Sequence, residues 1–234
     1  MDSAIILAAG LGSRLSHYLP KPLAKLNSGE TIMGRQLRCL AAQMESFQIT
    51  AVVGHKKEHI MEAHPELGFV YNEQFDCTNT SKSLLRGLQH THGTTLWLNG
   101  DVVLDAPSVR RVKDAMDAAD GPAICVAVAY KKVGDEEVTF LEETGRITAI
   151  AKNIQGGLGE AVGINAVNAA ARATFMDALA ACEDQDYFEK AIEKSLNQLQ
   201  VIPVDVSDCL CVEVDFPEDL AEANHLLDVD SQKE

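Results

Sequence analysis

The chain has 234 residues, 46% of them hydrophobic and 24% charged, enough for one α/β domain with a sizeable core. Its formal net charge of −15 argues against a nucleic-acid partner, because a polyanion needs a basic face, but not against a nucleotide held in a local basic pocket. No apolar run approaches a membrane span and Met1-Asp2-Ser3 carries no basic leader, so no membrane insertion and a cytoplasmic location are expected.

The apolar run 4–9 is continuous, as in a parallel strand buried on both faces. It leads straight into Gly10-Leu11-Gly12-Ser13-Arg14-Leu15, and Pro20-Lys21-Pro22-Leu23 follows. Glycines let backbone N–H groups approach a phosphate, and Arg14 and Lys21 are the obvious counter-charges. Leu15 stands where the dinucleotide fingerprint needs its third glycine, and the Gly-Lys-Ser/Thr of a P-loop is absent. A plain βα turn with two surface cations is the alternative at this point.

A helical stripe over 31–44 is followed by a strand at 49–54, a helix at 56–63 and a short strand at 69–71. A helix at 80–89 and a strand at 94–98 come next, the strand ending in Asn99-Gly100-Asp101. A helix at 107–118 and a strand at 123–130 complete the first half. This βαβα order predicts a mostly parallel sheet with helices on both faces and ligands at the carboxyl ends of the strands. Both the glycine turn and Asp101 fall at that edge. A carboxylate there suits Mg²⁺, which takes one or two carboxylates plus substrate phosphates, although a turn Asp after a Gly is also common.

In the second half, 138–141 and 146–150 read as a hairpin around Glu142-Glu143-Thr144-Gly145. A strand at 160–167 is entered through Gly156-Gly157-Leu158-Gly159. Helices at 169–181 and 187–199, strands at 201–206 and 211–214 and a helix at 217–227 close the domain 1–227, with a polar tail at 228–234. Glu213 and Asp215 share one face of an extended segment and would repel each other without a cation between them. A solvated strand end, with Asp215 capping the helix that starts at Pro217, is the alternative. The six cysteines, at 39, 77, 125, 182, 209 and 211, lack zinc-site spacing and are expected to be reduced and mostly buried.

Together, Gly-x-Gly-x-Arg-Leu with Pro-Lys-Pro-Leu, the strand ending in Gly-Asp, and Glu213-Val214-Asp215-Phe216-Pro217-Glu218-Asp219-Leu220 resemble the small bacterial cytidylyltransferases of the sugar nucleotidyltransferase superfamily. That group includes phosphocholine and 2-aminoethylphosphonate cytidylyltransferases. Tyr71-Asn72 with Asn79-Thr80-x-x-Ser83-Leu84 resembles its nucleotide-addressing segment, and Lys152 with Gly159-Glu160-Ala161-Val162-Gly163-Ile164 resembles its acceptor-side strand. The resemblance spans positions 4 to about 223. The linker between Arg14 and Pro20 is short, as in methylerythritol-phosphate cytidylyltransferases, and no β-helix repeat follows, so a bifunctional acetyltransferase is not expected.

The resemblance implies a single Rossmann-like nucleotidyltransferase domain, with a mostly parallel mixed sheet flanked by helices and a small hairpin region at the acceptor side. It implies CTP and a small phosphorylated or phosphonylated acceptor as substrates, with Mg²⁺ as cofactor; a homodimer is compatible with it. Arg14, Lys21, Asp101 and Asp215 would carry catalysis, and Asp101, Glu213 and Asp215 would hold the metal. Leu7, Ala8, Ala9, Gly10, Leu11, Gly12, Ser13, Arg14, Lys21, Asn72, Asn79, Thr80, Ser83 and Asp101 would bind the nucleotide. Lys152 and Glu160 would bind the acceptor, a plain surface lysine being the alternative for Lys152.

A quaternary ammonium is usually held by several aromatic rings. Aromatics make up 5% of the chain, Trp97 is expected in the core, and Tyr130, Phe140 and Tyr187 remain as loop candidates. Asp135, Glu136, Asp184 and Asp186 are the acidic residues expected near the acceptor. They favour 2-aminoethylphosphonate over phosphocholine. A sugar-1-phosphate nucleotidylyltransferase using UTP, GTP or CTP and a non-catalytic nucleotide-binding regulatory module are the competing readings.

Overall fold

Strand β1, Ser3–Ala8, is buried along its whole length and sends its side chains alternately to two cores. Ala4, Ile6 and Ala8 join one cluster with Met33, Leu40, Val109 and Val112. Ile5 and Leu7 join the other with Leu84, Leu88, Phe175 and Phe188. The computed structural model describes residues 1–12, 15, 18–43, 48–132, 134 and 137–230.

The remaining elements, in chain order, are a 3-10 turn at Lys21–Leu23, α1 (Ile32–Ala41), β2 (Gln48–Val53), α2 (Lys57–Ala63), β3 (Gly68–Tyr71), α3 (Thr80–His90) and β4 (Thr95–Asn99). Then come β5 (Val102–Leu104), α4 (Ala106–Asp117), β6 (Ala123–Ala129), β7 (Val138–Glu143), β8 (Arg146–Lys152) and β9 (Glu160–Val167). The chain closes with α5 (Arg172–Ala180), α6 (Phe188–Ser195), β10 (Gln200–Asp205), β11 (Cys211–Glu213) and α7 (Pro217–Asp230). Helix α7 thus runs three residues into the segment expected as a tail.

The main sheet has the order β10-β6-β9-β4-β1-β2-β3. Its neighbours are parallel except at β9, which runs antiparallel to both β4 and β6. The hairpin β7–β8 attaches through β7, where Thr139 faces Glu160. The architecture is the expected single α/β domain with a mostly parallel mixed sheet flanked by helices. Because β9 is reversed, its first residue, Glu160, lies at the edge where β1 and β4 end.

Strand β5 carries no signal of its own in the sequence. It pairs antiparallel with β11 in a separate two-stranded sheet, placing Glu213 opposite Val102. A third cluster, Leu26, Ile32, Val103, Val214 and Ala223, fixes this ribbon to α1 and α7. Trp97 is fully buried, stacked on Phe175 at 5.4 Å and edge-on to Phe188 at 5.7 Å, as its strand position implied. All six cysteines are free thiols, and Cys77 is exposed.

Candidate active site

The carboxyl-terminal edge of the sheet opens into a cleft of about 800 Å³. Its walls include Leu7, Gly10, Gly12, Lys21, Thr80 and Asp101 from the first half of the chain, and Lys152, Glu160, Glu213 and Asp215 from the second.

The glycine turn and Lys21 are built as one unit. Gly12 sits at φ +57, and a Cβ there would lie 2.9 Å from Lys21 Cγ, so the turn needs glycine both for its backbone and for the lysine stem. Lys21 opens the 3-10 turn, held by the Leu23 N–H donating to Pro20 O at 2.9 Å. Its ammonium donates to Asp101 Oδ2 at 3.3 Å and to Asp215 Oδ1.

Asp101 is placed by its neighbours. The Gly100 N–H donates to Leu7 O at 2.9 Å, and a Cβ on Gly100 would lie 2.5 Å from that oxygen. Buried Gln36 donates through Nε2 to Asn99 O and Val102 O, both at 2.8 Å, clamping the loop on either side. Asp215 arrives with the β5–β11 ribbon. Its own N–H and that of Phe216 donate to Asp219 Oδ2 at 2.8 and 2.7 Å, which caps the start of α7 and fixes the turn.

The charges here are interdependent. Burial pulls the Lys21 ammonium down, but the Asp101 charge and the hydrogen bond to Asp215 outweigh it, and its pKa ends above the ordinary lysine value. Burial raises the Asp101 carboxyl, and Lys21 works against that rise. Glu213 is also raised, first by desolvation on the cleft wall and then by the Asp101 and Asp215 charges, although its side chain as a whole stays exposed.

The opposite end of the cleft is lined by the hairpin, the start of β9 and the start of α6. Lys131 pairs with Glu160 Oε2 at 2.5 Å. The Lys152 ammonium lies 4.9 Å from the centroid of the Tyr187 ring. Glu189, in the first turn of α6, is 7% exposed and lines the cleft, with Oε2 lacking a hydrogen-bond partner. Burial pushes its pKa up to about 7, against the pull of its own backbone N–H and of Lys152.

Other expected positions land elsewhere. Ser13, Arg14, Asp135 and Glu136 lie outside the described residues. Ala8 and Ala9 are buried behind the turn, and Leu11 is half exposed; none of the three is in the cleft wall. Asn72, Asn79 and Ser83, expected on the nucleotide, are also absent from that wall. Asn72 is fully buried, donating through Nδ2 to Thr78 Oγ1 at 3.1 Å and Ser83 Oγ at 3.0 Å and accepting from Gln74 N at 3.1 Å. Asn79 caps α3, accepting from Thr80 N at 2.8 Å, and Nδ2 donates to Gln185 O at 3.3 Å. These side chains build the turn that presents Thr80; Thr80 is in the cleft wall, with Oγ1 accepting from Phe188 N at 3.1 Å.

Phe140, expected in a loop, is buried inside β7. Asp184 and Asp186 do not line the cleft either; Asp186 Oδ2 accepts from Glu183 N at 2.8 Å to close the turn before α6. The acidic groups at this end of the cleft are Glu137, Glu160 and Glu189 instead. Lys131, Glu137 and Glu189 line the cleft without a signal in the sequence, where they read as ordinary charged surface positions.

The donor set suits a magnesium ion in a limited way. Asp101 and Asp215 both close on one cationic nitrogen, and two carboxylates with open positions for phosphate oxygens match what Mg²⁺ accepts. Among the described residues no three His, Cys, Asp or Glu side chains converge on one point.

A family model described as "MobA-like NTP transferase domain" matches residues 4–200. The bifunctional protein GlmU of Neisseria meningitidis is 30% identical over 151 residues, covering 63% of this chain and 32% of that protein. The CMP-5'-(3-aminopropyl)phosphonate synthase of Streptomyces rubellomurinus is 32% identical over 125 residues, 50% of this chain and 20% of that protein. The matches thus span a third or less of these curated relatives. In fold, CTP:phosphocholine cytidylyltransferase from Streptococcus pneumoniae superposes with a TM-score of 0.77 at 17% identity, over 97% of this chain and 100% of that one. The inositol-1-phosphate CTP transferase from T. maritima gives 0.78 at 18% identity, over 97% and 95% of the two chains.

Proposed function

The chain belongs to the MobA-like NTP transferase domain family, and on that premise we propose that it transfers CMP from CTP to a small phosphonate or phosphate acceptor, 2-aminoethylphosphonate ahead of phosphocholine. The observation that carries this reading is the junction of Lys21 with Asp101 and Asp215 in one cleft, between a glycine turn and a second cationic patch at Lys131 and Lys152.

The chemistry follows from charge. An acceptor oxygen attacks the α-phosphorus of CTP, the bond to the β-phosphate oxygen breaks, and pyrophosphate leaves. The acceptor oxygen is already anionic near neutral pH, so no general base is required. The protein must instead align two polyanions and offset the charge between them. The Gly10–Gly12 turn, with Arg14, takes the β- and γ-phosphates through backbone N–H groups and a guanidinium. Lys21 moves from its carboxylates to the α-phosphate. Lys152 takes the phosphonate. Mg²⁺ held by Asp101 and Asp215 would supply Lewis-acid stabilisation at the α-phosphate.

Acceptor preference rests on the cleft wall. Among its aromatic side chains, Phe188 is buried against Trp97, and the Tyr187 ring carries the Lys152 ammonium. Carboxylates are more numerous there than rings, and a primary ammonium can be met by carboxylates without a cage. The solved and curated relatives named for cytidylyl transfer and for CMP-phosphonate synthesis support CTP as donor. Pyrophosphate release is the test, with each of ATP, CTP, GTP and UTP crossed against 2-aminoethylphosphonate, phosphocholine and sugar 1-phosphates. CTP with 2-aminoethylphosphonate should give the highest kcat/KM. A preference of about tenfold or more for phosphocholine overturns the acceptor, and one for a sugar 1-phosphate overturns the acceptor class.

A further inference from the structure

We propose that Glu189 is the specificity-determining residue of the acceptor end, taking a primary ammonium through its carboxylate while Lys152 holds the acceptor's phosphonate. The inference rests on the acceptor reading above and adds the group that recognises the amine.

Of the cleft's other charged side chains at this end, Glu137 also has a carboxylate oxygen without a partner but is only half-buried, and the rest are matched. Glu160 is paired with Lys131, and Lys152 lies over Tyr187. Glu189 is not matched: it is more than nine-tenths buried, one carboxylate oxygen has no partner, and no cation is within ion-pair distance among the described residues. A buried carboxylate without a partner is costly, and a ligand that brings a cation removes that cost. Lys152 is near enough to be felt by Glu189, yet the two form no ion pair, leaving both for a ligand with opposite charges at its two ends. A molecule with a phosphonate and an amine separated by two carbons has that shape. A trimethylated nitrogen does not, because it has no N–H to donate to Oε2 and is bulkier at a wall already filled by Phe188.

The geometry also explains how Glu189 is held. It follows Phe188, which is locked edge-on to Trp97 and whose N–H donates to Thr80 Oγ1 at 3.1 Å. Thr80 opens α3, so the nucleotide side and the acceptor side of the cleft meet at this contact.

The test is calorimetry and turnover with wild type and Glu189→Gln, using 2-aminoethylphosphonate and ethylphosphonate in the presence of CTP and a divalent ion. Wild type should bind the amine at least about tenfold more tightly than ethylphosphonate, and Glu189→Gln should erase most of that difference while binding ethylphosphonate as before. CTP binding, read by thermal shift, should be unchanged in the variant. If wild type fails to distinguish the two phosphonates, the proposal is overturned without recourse to the variant. If wild type turns over 2-aminoethylphosphonate and Glu189→Gln keeps the full preference for the amine, the role of Glu189 is overturned while the acceptor reading stands. Transfer to sugar 1-phosphates with no binding of 2-aminoethylphosphonate overturns both.

Discussion

The Val214 N–H donates to the carbonyl of Asp101 at 3.0 Å, extending the β5–β11 ribbon by one bond. That bond carries Asp215 to Asp101 across more than a hundred residues of sequence and sets both carboxylates on the Lys21 ammonium. The ribbon is therefore the part of the fold that assembles the charge centre.

Asp101→Ala and Asp215→Ala should each lower turnover by about a thousandfold or more, the scale expected for loss of a charge clamp in the transition state. Circular dichroism and thermal melts should show both variants folded, because both side chains lie at the sheet edge and neither belongs to the hydrophobic clusters. Near-normal turnover by either variant with Mg²⁺ would remove it from the metal set.

Lys21→Ala should lower kcat more than it raises the KM for CTP, since charge shifts at the α-phosphate mainly in the transition state. The same variant removes the ammonium from between the two carboxylates. It should bind Mn²⁺, followed by electron paramagnetic resonance without nucleotide, more tightly than wild type. Equal Mn²⁺ affinity in the two proteins would show that the ammonium and the metal do not compete.

Much of this site was legible in the sequence. The apolar strand, the Gly-x-Gly turn and Lys21 sit within the first few dozen residues, where local chemistry is enough to read them. Asp101 and Asp215 were legible as strand-end acids. Their meeting was not, because β5 is only three residues long, too short for an alternation signal, and its partner is the distant β11. The internal partners of Asn72, Asn79 and Ser83 were not legible for a different reason. Polar residues at a turn look alike whether they face a ligand or the protein: Asn72 bonds Thr78 and Ser83, and Asn79 caps α3 and bonds Gln185 O. Glu189 sits in an amphipathic helix among other charged residues, and nothing in the pattern marks it as buried.

Gly100→Ala should disable the site through the backbone. Its added Cβ would meet Leu7 O at 2.5 Å, so β1 and the loop bearing Asp101 must separate. A stability loss of about 1–3 kcal/mol in urea melts is expected, together with a larger loss of activity than stability alone would explain. An active, fully stable Gly100→Ala protein would show that the Leu7–Gly100 contact does not position Asp101.

Stability should depend on pH through Glu189. Its folded pKa is pushed up to about 7 by burial, with Lys152 on β8 pulling the other way, while an unfolded glutamate titrates near about 4.3. Between those values the folded state holds a proton that the unfolded chain has released. This contribution is therefore complete below about pH 4.3, falls as pH rises by at most about 1.4 kcal/mol per unit, and is gone above about pH 7. Glu189→Gln should flatten the stability profile in that window, measured by urea melts at matched ionic strength. An unchanged slope would mean that Glu189 is ionised throughout in the folded protein.

The most direct test of the central claim is phosphorus NMR of a reaction containing the protein, CTP, Mg²⁺ and 2-aminoethylphosphonate. The account predicts a pair of coupled resonances from a new phosphate–phosphonate anhydride, appearing in step with pyrophosphate and absent with Asp101→Ala. Pyrophosphate without the coupled pair, or transfer only from another triphosphate or only to a sugar 1-phosphate, would contradict it.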